Sequence, residues 1–195
     1  MSIERTIVFF DAGYLSELSK YFGKGEYLKY SIVKFAEAIC RKQKLNCKKI
    51  YYYTAPPFQS SNPSIREEKR KKDYDRFIRK IKQDKKIIVR EGRCQRLKIN
   101  DSFEYHQKAV DSLVIIDLME VPLENKEIKK IVLIACDSDF VPVIKKLGEK
   151  GVKTVLCTYY QKSRDETFST SNHLIKSVWK YIILTKKDFD DFPLK

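Results

Sequence analysis

A chain of 195 residues can bury one substantial core and is too short for two. Hydrophobic residues make up 43%, an ordinary share for a soluble globular protein, and no segment reaches the length of a transmembrane helix. With 40 Lys and Arg against 26 Asp and Glu, the net charge of +14 favours a polyanionic partner, nucleic acid or an anionic membrane surface.

The first segment, 6–10 (TIVFF), reads as a buried strand that ends at Asp11, and Ala12-Gly13 then permits a tight turn. Residues 14–22 form a short helix broken by Gly23 and Gly25. Residues 31–43 form a clearer one, with Ile32, Val33, Ala36, Ile39 and Cys40 on one face. Residues 48–54 contain IYYYT, a strand by aromatic content. A Pro/Ser-rich loop over 55–64 leads into a highly charged helix over 65–84. From 65 to 90 the chain carries 12 Lys/Arg and 5 Asp/Glu, a net of +7 and half of the whole excess. A mixed solvated face would stand closer to neutral, so this segment is expected to touch phosphates.

Residues 86–91 are a further strand. Residues 93–106 read as a hairpin or irregular excursion turning at Asn100-Asp101, with Arg93, Arg96 and Lys98 adding positive charge. A helix over 107–121 has Val110, Leu113, Val114 and Leu118 as apolar anchors and Asp111 in its first turn. Pro122 opens a loop after it.

Residues 131–158 form a βαβ unit. An apolar strand over 131–135 meets the acidic turn Asp137-Ser138-Asp139. A helix with Phe140, Val143, Ile144 and Leu147 inward follows, Gly151 ends it, and an apolar strand over 152–157 returns. A right-handed crossover makes these strands parallel, which sets the acidic turn at a strand's carboxyl end, where open α/β sheets place ligands. Residues 159–167 read as a polar, mobile loop, 169–171 as a helix cap, 181–184 as a last short strand, and 186–195 as a loosely held tail. Trp179 reads as a core residue.

Five cysteines show no CxxC pair, and neither histidine has zinc-type spacing, which points to a reducing cytosol without a disulfide framework. The N-terminal stretch, with Glu4 and only a short apolar run, does not read as a secretory signal. His106 and His173 read as ordinary polar residues, and Ser138 as a helix cap.

Asp is a good N-cap, and capping alone explains one acid after a strand. Capping explains two Asp flanking a Ser less well, and taken alone the turn leaves capping and metal binding both open. Asp11, Asp111, Asp137 and Asp139 can converge if the first and fourth main strands are neighbours, as in doubly wound sheets. Such a cluster stays ionised only when neutralised, and carboxylate oxygens suit a hard divalent cation, Mg²⁺ or Mn²⁺. Ringed by Lys and Arg, it has the layout of a metal-dependent nuclease. Asp117, six residues beyond Asp111, lies roughly 120° around the helix and is expected to accept hydrogen bonds from a neighbouring loop.

Three blocks carry a likeness: FFDAGYL at 9–15, QKAVDSLVIIDLM at 107–119 and IACDSDFVPVIKKLGEKGVKTVLC at 134–157. With them the chain resembles the NYN domains of the PIN-like nuclease superfamily, in particular the LabA-like bacterial group. That resemblance implies a three-layer α/β/α sandwich with a mainly parallel Rossmann-like sheet. It also implies divalent-metal-dependent ribonuclease activity, with Asp11, Asp111, Asp137 and Asp139 at the acidic motif positions as catalytic and metal-binding residues. Two positions depart from the family's habit: Tyr14, often Asn, and Ala135-Cys136, usually Ser-Gly.

The expectation is one domain over 1–185 with a tail over 186–195. It is a cytoplasmic ribonuclease using Mg²⁺ or Mn²⁺, with RNA as partner along 65–98, no membrane, and room for a homo-oligomer. The alternatives are a non-catalytic RNA- or protein-binding PIN-like module and a Toprim-like phosphotransfer enzyme. The latter calls for a Glu after its first strand, where this chain has Asp11.

Overall fold

The computed structural model describes residues 3–161, 168 and 172–194. In chain order the elements are β1 (Glu4–Asp11), α1 (Ala12–Phe22), α2 (Ile32–Lys42), β2 (Leu45–Thr54), α3 (Ile65–Ile81), β3 (Ile87–Glu91), β4 (Arg93–Ile99) and β5 (Ser102–Lys108). There follow α4 (Val110–Glu124), β6 (Lys130–Ile134), a 3₁₀ turn (Ser138–Phe140), α5 (Val141–Glu149), β7 (Lys153–Thr158), α6 (Asn172–Ser177), β8 (Lys180–Ile183) and α7 (Lys186–Asp190). Of the expected loop over 159–167, residues 162–167 lie outside the described residues, as does the cap over 169–171. Among the described residues no helix is long and apolar enough to cross a membrane.

Six strands form one sheet in the order β3-β2-β1-β6-β7-β8, every pair parallel. The chain runs outward from β1 to β2 and β3, then returns to β6 on β1's other side. The topological switch therefore falls between β1 and β6.

Strand alternation divides the core into two halves. Val8 and Phe10 of β1 pack with α1, α2 and α7, while Ile7 and Phe9 pack with α4 and α5. Helices thus cover both faces of the sheet, the α/β/α sandwich that the sequence implied. Both faces being covered, the central strands are apolar on both sides over 7–10, 131–134 and 155–157. On the α4 side Phe9, Tyr51 and Tyr53 stack across strands, Phe9 and Tyr51 with centroids 5.2 Å apart.

The structure corrects several expectations. The tail is not loose: Phe189 of α7 is buried among Phe22, Tyr30 and Phe35, and Asp188 accepts from Lys42 Nζ at 2.6 Å. Pro122 lies inside the last turn of α4 and not in a loop, so that turn lacks one backbone donor and the helix runs only two residues beyond it. Gln107 lies in β5 and does not open α4. The strand-to-helix change falls instead at Ala109, held at φ 68. Trp179 is 52% exposed, beneath Lys130 and Lys153 at the amino end of the sheet. All five cysteines are free thiols.

The excursion over 93–106 is a regular antiparallel hairpin, β4 with β5. Asn100 and Asp101 both take positive φ, 45 and 61, the conformation of a two-residue type I′ turn. It leaves the sheet at the carboxyl end of β3 through Gly92, whose amide donates to Thr54 O at 2.8 Å. A Cβ at Gly92 would lie 2.4 Å from Lys108 O, so only glycine lets the two ends of the hairpin meet.

Candidate active site

Asp11 is the last residue of β1 and the N-cap of α1, accepting from Tyr14 N at 3.1 Å. Its neighbour across the switch is the end of β6, since Phe10 pairs with Ile134. Beyond Ile134 the chain reaches Asp137, which caps the 3₁₀ turn by accepting from Asp139 N at 2.9 Å. Asp137, and not Ser138 as expected, is the cap. Asp111 comes from a third direction, the first turn of α4, delivered by the left-handed Ala109.

These carboxylates share one corner. Burial and then the charges of Asp111 and Asp137 push the Asp11 carboxyl up to about 6, against the pull of the Tyr14 N–H. Burial, Asp137 and Asp139 likewise raise Asp111. Asp11 and Asp137 are half-buried at the base of the corner, and Asp111 and Asp139 are exposed at its rim.

Three further groups border the corner. Cys136 is pushed up to about 12 by burial and by Asp11 and Asp137, so its thiol stays protonated and adds no charge. A methyl group placed on Gly13 would meet Asp11 Oδ1 at 3.3 Å and Gln107 Oε1 at 3.5 Å. Asp11 and Gln107 of β5 therefore both border Gly13. Sequence reasoning missed Gln107, because a residue assigned to a helix gives no sign that a hairpin folds it back. A cleft of about 390 Å³ extends from here, with Ala12, Gly13, Ser16, Tyr52, Thr54 and Gln107 among its walls.

Tyr14, the first departure from the family habit, points elsewhere. Its hydroxyl lies 3.3 Å from Thr158 Oγ1 and accepts from Tyr159 N at 2.6 Å, pinning α1 to the end of β7.

Asp117 lies away from the acidic corner, as its position around the helix requires. Its carboxylate accepts from Tyr53 Oη at 2.8 Å and from Arg90 Nε and Nη2 at 2.9 and 2.5 Å. These donors belong to strands β2 and β3, not to the expected loop. His106 is half-buried, its Nε2 3.1 Å from Glu104.

Among the described residues no three His, Cys, Asp or Glu side chains stand close enough to clasp one ion directly. Asp11 and Asp137 each turn one oxygen back to a backbone N–H, which leaves an open corner instead of a cage. The donor set consists of oxygens from four carboxylates, among which Asp111 and Asp137 help to raise Asp11 and Asp137 and Asp139 help to raise Asp111. That fits a hydrated Mg²⁺ or Mn²⁺, which takes one or two carboxylates and keeps its waters.

The family model for the NYN domain matches residues 5–185. The chain belongs to the NYN domain family. No curated protein matches this NYN domain significantly. Among solved structures it is similar to a protein of unknown function from Vibrio parahaemolyticus, at 13% identity and TM-score 0.58, covering 95% of both chains. At that identity the likeness speaks for the fold.

Proposed function

We propose that this NYN domain is a divalent-metal-dependent ribonuclease that hydrolyses RNA phosphodiester bonds at Asp11, Asp111, Asp137 and Asp139. One observation carries the reading. Carboxylates from three separate parts of the chain face one another at the β1/β6 switch, where burial first and then the charges of Asp111 and Asp137 hold Asp11 near 6. Family membership supports it, since NYN domains are generally nucleases.

When bound, Mg²⁺ or Mn²⁺ supplies neutralisation of this charge, a water of lowered pKa and stabilisation of the phosphoryl transition state. Asp11 and Asp137, anchored by backbone N–H groups, form the base of the ion's seat. Asp111 and Asp139, exposed at the rim, would face the substrate side and reach the ion through its waters. The Lys and Arg of α3, β3 and β4, within the basic run over 65–98, draw in the RNA backbone.

Purified protein incubated with labelled RNA and Mn²⁺ is expected to cut it. Asp137→Asn should lower the rate by about 10²-fold or more, the scale of losing one group that stabilises transition-state charge. EDTA should abolish cleavage. Cleavage that survives both treatments sinks the assignment. RNA affinity that depends on salt but is indifferent to divalent ions, with no cleavage, leaves the non-catalytic binding module.

A further inference from the structure

The hairpin β4–β5 projects from the same end of the sheet as the acidic corner, and its two faces differ. Strand register pairs Cys94 with Gln107, Arg96 with Tyr105, and Lys98 with Phe103, so these side chains share one face. Along the two strands that face carries no carboxylate, whereas Glu104 lies on the other; the nearest acid is Asp101 in the turn at its outer end. Phe103 and Tyr105 are 53% and 51% exposed. Between them and the 55–64 loop, the Arg96 guanidinium lies 4.5 Å from the Phe103 ring and 4.6 Å from that of Phe58. Phe58 also reaches Tyr105, with centroids 5.8 Å apart. Lys98 pairs with Asp101 in the exposed turn at 3.0 Å.

The row has a direction. Gln107 at the inner end of the face borders Gly13, as Asp11 does, and Tyr105 and Phe103 follow outward along the same strand. Two-residue steps along a strand cover roughly 7 Å, the spacing of successive nucleotides in an extended, unstacked strand. Aromatic rings with an interleaved arginine are what a nucleic-acid strand without fixed sequence stacks upon, because every base has a π-face. In a duplex the bases are already stacked and their faces are hidden.

We propose that this face of the hairpin is a stacking platform for unpaired nucleotides. It holds single-stranded RNA beside the acidic corner, with Phe103 and Tyr105 as base contacts and Arg96 held between rings for the phosphates. The proposal rests on the reading of RNA as substrate and assigns its class as single-stranded.

The test is fluorescence anisotropy in EDTA, where nothing is cut, with a short labelled oligouridylate and an RNA duplex of equal length. The wild type should bind the single strand more tightly. The double variant Phe103→Ala/Tyr105→Ala should weaken single-strand binding by about 10-fold or more, the scale of losing stacked bases. Duplex binding and the salt slope should stay unchanged, because no charge is removed. Phe103→Trp/Tyr105→Trp should retain the affinity, and thermal melts of both variants should match the wild type, since both side chains are exposed. Unchanged single-strand affinity, an equal loss on duplex, or no preference in the wild type overturns the proposal and leaves the face to a protein partner. A platform that behaves as expected in a protein that never cuts RNA would remove the nuclease reading alone.

Discussion

Asp11 does two jobs with opposed electrostatic demands. As a helix cap it accepts a hydrogen bond, which favours its charge. As a half-buried member of an acidic group it is pushed the other way, and burial with Asp111 and Asp137 prevails. Its folded pKa of about 6 lies above the unfolded value near 4. The sign follows by linkage: this carboxyl's contribution to stability is fully present below pH of about 4 and is lost as pH rises through about 6. In chelator, Asp11→Asn keeps a capping oxygen and removes the charge. It should therefore stabilise the protein at pH 8 by roughly 1–2 kcal/mol, with the gain vanishing near pH 4. Urea titrations at both pH values measure this. A gain of equal size at both would refute the repulsion argument.

At the scale of elements, three pieces of the sheet's left half are tied by one buried carboxylate. Asp117 of α4, its side chain 1% exposed, holds Tyr53 of β2 and Arg90 of β3. Arg90 is partly solvated, so the pair is worth less than a fully buried one. Asp117→Ala would still strand the Tyr53 hydroxyl and half of the guanidinium's donors beneath α4. It should cost about 2–3 kcal/mol in urea unfolding. A cost below about 0.5 kcal/mol, the ordinary range for a surface change, would show that the tie is not structural. The same half of the sheet launches the hairpin, whose base closes only because Gly92 lets the chain pass Lys108 O.

At the scale of the molecule, the C-terminal helix belongs to the core although the family match ends at residue 185. Phe189 fills the space between Phe22, Tyr30 and Phe35, and the Ser31 amide donates to Phe192 O at 2.8 Å. Phe189→Ala should cost about 3–5 kcal/mol, the range for emptying a core aromatic site. That corresponds to a Tm drop of roughly 2–4 °C per kcal/mol for a chain of this size. A melt within a degree of the wild type would place α7 outside the cooperative unit. RNA cleavage per folded molecule should not change, because α7 packs away from the acidic corner.

Alternation and length made the strands legible in the sequence. Apolar runs such as IVLIA and TIVFF are too short for helices, and their lack of polar alternation already implied a sheet covered on both faces. The type I′ turn at Asn100-Asp101 was legible for a similar local reason, since few residue pairs accept two left-handed conformations. The acidic turn at 137–139 and Asp11 could be read as strand-end residues. Other features depended on contacts remote in sequence. The exposure of Trp179 arises because β8 is an edge strand whose start meets Lys130 and Lys153 and not a helix. The docking of the tail rests on Phe189 finding a gap left by α1 and α2, which no local pattern announces. The amino acids by themselves determined the strands, the helices and which residues carry acid. Whether those acids met was decided only by the strand order, because pairing β1 with β6 brings together carboxylates separated by more than a hundred residues.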